Sequence, residues 1–152
     1  MAQATHSFQV AVPPDFFLSV LQDYARYPEF QPDVKSVKAA PREAGHVEVG
    51  YAIDAKLMMI EYVLEHHHVS PRRIEWRLLR GELVKHNVGA WALEPLPDGG
   101  TRVTYNIDLV FSGPMPPALA RALAEQGLPR MLGNFKARAE KLYAEGAAAT
   151  TR

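Results

Sequence analysis

The chain has 152 residues, no cysteine, 47% hydrophobic residues, and 17 Lys plus Arg against 17 Asp plus Glu. A chain of this length is expected to form one domain that buries enough apolar surface to need no staples. The missing thiols exclude disulfides, thiolate zinc sites, iron–sulfur clusters and a cysteine nucleophile, and zero net charge offers no basic footprint for nucleic acid or anionic membrane.

No positive charge precedes an apolar run at the start, and no stretch approaches the roughly 18 apolar residues of a membrane span. The expectation is a single cytoplasmic domain over residues 1–152 with no stable membrane insertion. The Ala- and Thr-rich tail from Gly146 to Arg152 is expected to fray.

In chain order, Phe8, Val10 and Val12 alternate with polar or small neighbours and predict a first strand from His6 to Val12. Pro13 and Pro14 stop it. Asp15 suits a helix's first turn, and Phe17, Val20, Leu21 and Tyr24 fall on one helical stripe that Pro28 closes. From Val34 the period becomes two, predicting strands at Val34 to Ala40, His46 to Met59, Glu61 to Val69, Arg73 to Gly81, Leu83 to Glu94 and Thr101 to Phe111. Short breaks such as Ser70-Pro71 and Pro97-Asp98-Gly99-Gly100 imply antiparallel neighbours.

The strands have one apolar face. Tyr51, Ile53, Trp76, Leu78, Trp91, Tyr105, Ile107, Leu109 and Phe111 lie on it, opposite residues such as Glu48, Arg102 and Asp108. The cover comes after Gly113-Pro114, where Met115 leads into Leu119, Leu123, Leu128, Met131, Leu132, Phe135, Ala139 and Leu142 at helical spacing. Gly127 and Pro129 should kink or split that helix. The pattern describes an α+β helix-grip fold: a short helix after strand one and a seven-stranded curved antiparallel sheet wrapped around a long C-terminal helix. Between sheet and helix a wide, aromatic-lined, apolar space is expected, and its absence below about 300 Å³ would count against a ligand-binding role.

Three segments carry a resemblance. The run from Asp23 to Val37, the run Gly89-Ala90-Trp91-Ala92-Leu93-Glu94-Pro95 followed by Gly100 to Tyr105, and Leu128-Pro129-Arg130-Met131-Leu132 resemble the polyketide cyclase/coenzyme Q-binding branch of the START-like superfamily, in order over residues 5 to about 143. These are scaffold motifs. The resemblance implies a cavity for lipids, isoprenoid quinones or polyketides. Relatives include aromatic polyketide cyclases and dehydrases, quinone-binding proteins, lipid carriers and a ribosome-associated factor.

Tyr51, Ile53, Trp76, Leu78, Trp91, Tyr105, Ile107, Leu109, Phe111, Met115, Leu119, Leu123, Met131 and Phe135 are therefore the candidate ligand-binding residues. For acid–base chemistry the candidates are His86, Tyr51 and Tyr105, because a cavity-facing imidazole is the side chain that titrates near neutrality and a buried phenol needs a partner for its hydroxyl. The competing reading of His86 is an exposed surface side chain. Of His66, His67 and His68, only the first and third share a strand face, about 7 Å apart. The sequence identifies no third ligand, so the run reads as a histidine-rich outer strand, and no metal or other cofactor is assigned. The Arg residues from Arg72 to Arg80 are interspersed with Glu75 and Glu82 and read as a salt-bridged surface rather than a nucleic-acid stripe. No phosphate loop, serine elbow or His-Glu-x-x-His helix is present.

The leading expectation is a non-catalytic binder or carrier of a hydrophobic or aromatic small molecule. The alternatives are an aromatic polyketide cyclase or dehydrase using the same cavity and a ribosome-associated or other protein-interaction factor, which leaves a protein partner open.

Overall fold

The computed structural model of the chain describes residues 2–150. Strand β1 (Ala2–Val10) leads through Pro13, whose carbonyl accepts from Phe16 N and Phe17 N, into helix α1 (Pro14–Gln22), where the fixed φ of Pro14 starts the first turn. A 3₁₀ turn (Tyr24–Glu29) follows, then β2 (Val34–Pro41), β3 (His46–Asp54), β4 (Met59–Ser70), β5 (Arg73–Gly81), β6 (Val84–Pro95) and β7 (Thr101–Phe111). The strands form one antiparallel sheet in the order β1-β7-β6-β5-β4-β3-β2. The helical crossover carries the chain from one sheet edge to the other, and a meander returns it.

The C-terminal segment begins with α2 (Pro117–Ala122), passes through a π-helical turn (Leu123–Gly127) and continues as α3 (Leu128–Thr150). At the joint Leu128 N donates to the carbonyl of Leu123, five residues back. Pro129 has no N–H to donate to Glu125, so the wider turn sits where an ordinary helical bond cannot form. Helix α3 crosses the inner sheet face and buries Leu132, Phe135 and Ala139, with the Phe135 ring edge-on to Trp91 at 5.2 Å and to Tyr27 at 5.1 Å. This is the expected helix-grip arrangement.

Three boundaries differ from the periodicity. The segment from His46 to Met59 is not one strand, because Lys56 adopts a left-handed φ of 73° and turns the chain between β3 and β4. Leu57, which continues by twos from Tyr51 and Ile53, is consequently 81% exposed at that turn rather than on the apolar face. Strand β1 starts earlier and ends at Val10. Helix α3 continues to Thr150, through residues expected to fray. Arg152 and its neighbour at 151 lie outside the described residues.

Candidate functional site

A cavity of about 210 Å³ lies between the inner face of the sheet and the C-terminal helical segment. Cross-strand register explains its wall, because directly paired residues point to the same face. One inner row runs Ile107, Gly89, Trp76, His66, Val47, and another pairs Tyr105 with Trp91 and Ile74. Of the candidate residues, Tyr51, Ile53, Trp76, Trp91, Tyr105, Ile107, Leu109, Phe111, Leu123, Met131 and Phe135 line the cavity. Leu78, Met115 and Leu119 do not: each packs into the surrounding core instead.

His86 is displaced from the site altogether. Strand β6 bulges between Val84 and His86, His86 pairs opposite Val110, and its Nε2 lies 3.3 Å from Asp108 Oδ2 on the outer face. The inward position belongs to Asn87, opposite Leu109.

The histidine run also divides differently from the outer-strand reading. His66 and His68 share a face as expected, and that face is the inner one. His66 is buried with its Nε2 2.9 Å from the Tyr51 hydroxyl, and His68 Nε2 lies 2.9 Å from the Tyr24 hydroxyl. His67 faces outward and stacks on His46 at 4.1 Å. Among the described residues no group of three or more His, Asp or Glu is arranged to hold a metal ion.

Further polar groups at the wall were not singled out from sequence. Trp76 Nε1 donates to Asn87 Oδ1 at 2.8 Å. On the helical side Gln31 Nε2 donates to the Met131 carbonyl at 3.0 Å, and Asn134 Nδ2 donates to Gln31 Oε1 at 3.0 Å. Tyr27 donates to the Leu21 carbonyl at 2.5 Å, and Tyr62 stacks on Tyr51 at 5.3 Å. Among the described residues nothing hydrogen-bonds the hydroxyl of Tyr62 or Tyr105. Trp76 lies flat across Gly89, where an added Cβ would sit 2.2 Å from the indole, so the glycine is required by the ring above it.

The tyrosines and the histidine of the wall are held uncharged. Burial pushes the phenols of Tyr27, Tyr51 and Tyr105 well above their ordinary value and that of Tyr62 up to about 12, with neighbouring phenols adding to the rise at the first three. Burial pushes His66 the other way, down to about 3, with His68 adding to the shift. At neutral pH every one of these groups is uncharged. Charge enters only where Asp33 and Arg130 join the lining.

A larger hollow of about 910 Å³ lies on the opposite face of the sheet, open to solvent and edged by His67, Arg73, Glu75, Arg77 and Asp108. Its charged side chains pair with one another, as in Arg73 with Glu75 at 2.7 Å and Arg77 with Glu65 at 3.0 Å. It is a trough between surface ion pairs, whereas the smaller inner cavity has the predominantly apolar, aromatic wall and oriented polar groups of a small-molecule site.

A family model described as polyketide cyclase/dehydrase and lipid transport matches residues 10–136. Solved structures of similar fold include the Zhui aromatase/cyclase from Streptomyces sp. R1128, 22% identical, with a TM-score of 0.81 over 92% of this chain and 94% of that one. A START superfamily protein from Mycobacterium smegmatis is 17% identical with a TM-score of 0.80, covering 92% of this chain and 98% of its own. An 18 kDa protein from Caulobacter crescentus is 19% identical with a TM-score of 0.75, covering 95% and 99%. At these identities the likeness shows the START-like helix-grip fold. No protein of curated function matches the chain.

Proposed function

Because the chain belongs to the polyketide cyclase/dehydrase and lipid transport family, we propose that it binds a compact, neutral, hydrophobic or aromatic small molecule in the cavity between sheet and α3, as a binder or carrier in the cytosol. The observation that carries this reading is the wall itself: aromatic and aliphatic side chains, with tyrosines and a histidine all held uncharged. An ionic group would lose its hydration against this part of the wall, and only Asp33 and Arg130 in the lining carry charge to offset that loss.

The volume restricts the ligand. About 210 Å³ falls below the bound of roughly 300 Å³ set from the sequence, at the lower end of drug-sized sites, so the expected wide space is not present and the volume counts against binding of a large ligand. A cavity of this size therefore suits one or two fused rings, and a long isoprenoid or acyl chain fits within it only if the helical cover moves. Trp76 and Trp91 report occupancy directly, so titration with neutral bicyclic compounds is expected to quench tryptophan fluorescence saturably. Absence of quenching, together with no small molecule in native mass spectra of gently purified protein, would overturn the reading.

A cyclase or dehydrase is the second reading, favoured by the Tyr51–His66 hydrogen bond in the wall. The electrostatics oppose it. A general acid or base works best with a pKa near the operating pH, and burial drives the phenol up and the imidazole down, away from neutrality on both sides. Turnover of a poly-β-ketone that is abolished in His66→Gln would favour the enzyme.

A further inference from the structure

The three side-chain amides at the cavity wall, Asn87, Gln31 and Asn134, are held in known orientations, and together they give the cavity a direction. Indole N–H donates and never accepts, so the contact from Trp76 Nε1 fixes Asn87 with Oδ1 toward the indole. That leaves the Asn87 Nδ2 group, a donor with no partner among the described residues, on the inner face of β6. On the opposite side a backbone carbonyl accepts and never donates, so the contact to Met131 O fixes Gln31 with Nε2 toward the helix. Gln31 Oε1 then accepts from Asn134 Nδ2, which turns Asn134 Oδ1, an acceptor without a partner among the described residues, away from Gln31. Both Asn87 and Asn134 line the cavity. The sheet side offers a donor and the helix side offers an acceptor.

We propose, resting on the binding role argued above, that Asn87 and Asn134 determine specificity: the cavity takes a ring ligand with a carbonyl oxygen directed to Asn87 Nδ2 and a hydroxyl directed to Asn134 Oδ1. Neither residue can reverse its role without breaking a bond to a partner of fixed polarity, Trp76 in one case and the Met131 carbonyl, through Gln31, in the other. A ligand lacking the carbonyl forgoes the bond to the Asn87 donor, and one lacking the hydroxyl forgoes the bond to Asn134 Oδ1.

The test is isothermal titration of the whole chain with three probes on one skeleton: tetralin, 1-tetralone and 6-hydroxy-1-tetralone. In the unmodified protein each added group is expected to tighten binding roughly three- to ten-fold, the range of one net hydrogen bond. Asn87→Leu should abolish the preference for 1-tetralone over tetralin while tetralin still binds. Asn134→Leu should keep that preference and abolish the one for 6-hydroxy-1-tetralone. Tetralin binding as tightly as 1-tetralone in the unmodified protein would overturn the proposal without any variant, and so would preferences that survive both substitutions. Failure of all three probes to bind would overturn the binding role itself, and the proposal with it.

Discussion

His66 is a base folded into a place where it cannot be charged. Its pKa is about 3 in the folded chain against 6.5 when unperturbed, so between those values the unfolded chain binds the extra proton. Its contribution to stability is complete above about pH 6.5 and is lost as pH falls toward 3, with a slope of at most about 1.4 kcal/mol per pH unit. His68 is shifted downward too, by burial first and by His67 and His46 next, and adds in the same direction. Urea unfolding from pH 7 down to pH 4 should show this loss, and His66→Gln, which keeps a polar partner for Tyr51, should flatten it. Equal slopes in both proteins would show that His66 is not buried as described. Gly89 offers a second check at this scale. An added methyl would meet Trp76 Cζ2 at 2.2 Å and the Asn106 carbonyl at 2.3 Å, and the second contact is backbone that cannot swing away. Gly89→Ala is expected to cost about 2 to 3 kcal/mol and to change the near-ultraviolet signal of Trp76, while an unchanged urea midpoint would contradict the packing. The inward residues were partly legible. Counting by twos back from Trp91 reaches Gly89 and Asn87 and misses His86, and counting on from Ile60 through Tyr62 and Leu64 reaches His66 and His68. The alternation was available, but histidine and asparagine read as surface residues when judged by type. What no alternation reveals is that Trp76 and Tyr51 supply the partners that make those polar groups tolerable inside.

The C-terminal helical segment is built of parts with different holds on the sheet. Neither α2 nor the π turn contains a buried residue, whereas α3 buries Leu132, Phe135 and Ala139. Few buried contacts mean low local stability, and Leu123 and Gly127 belong to the cavity wall. The segment up to Gly127 is therefore the part expected to open for a ligand, with the π turn as its hinge. Gly127 has room for a methyl group, the nearest atom to an added Cβ being Leu123 Cδ2 at 3.9 Å, so Gly127→Ala introduces no clash. It raises helix propensity by roughly 1 kcal/mol and should slow 1-tetralone uptake in stopped-flow more than it changes equilibrium affinity. Unchanged uptake rates, or amide exchange as slow over 118–126 as over 132–142, would dispose of the hinge. Proline and glycine spacing located this joint in the sequence to within a few residues. Its π form was not legible, since Pro129 removes a donor but does not dictate whether the chain kinks, breaks or widens. The β3–β4 turn was hidden for a related reason: Ala55, Lys56 and Leu57 continue the apolar alternation, and the left-handed φ falls on a lysine rather than on a glycine that would announce it.

At the scale of the whole molecule, the fold came through the sequence almost intact because it rests on periodicities of two and 3.6 that tertiary contacts reinforce. The site came through less completely, because its volume and polarity depend on how the rings stack: Phe135 against Trp91 and Tyr27, Tyr51 against Tyr62, and Trp76 against Tyr105. Those rings fill much of the space that their number led one to expect as empty. The same sheet presents two hollows, an outer trough of about 910 Å³ between ion pairs and an inner cavity of about 210 Å³ between aromatic rings. The central claim is that the smaller one is the ligand site, since apolar contact rather than volume supplies binding free energy to a neutral ring. Intermolecular NOEs in the saturated 1-tetralone complex test this most directly. The account predicts contacts from the ligand protons to the rings of Trp76, Trp91 and Tyr105 and to the side chains of Leu109 and Met131. Contacts instead to His46, His67 and Val88 on the outer face would contradict it.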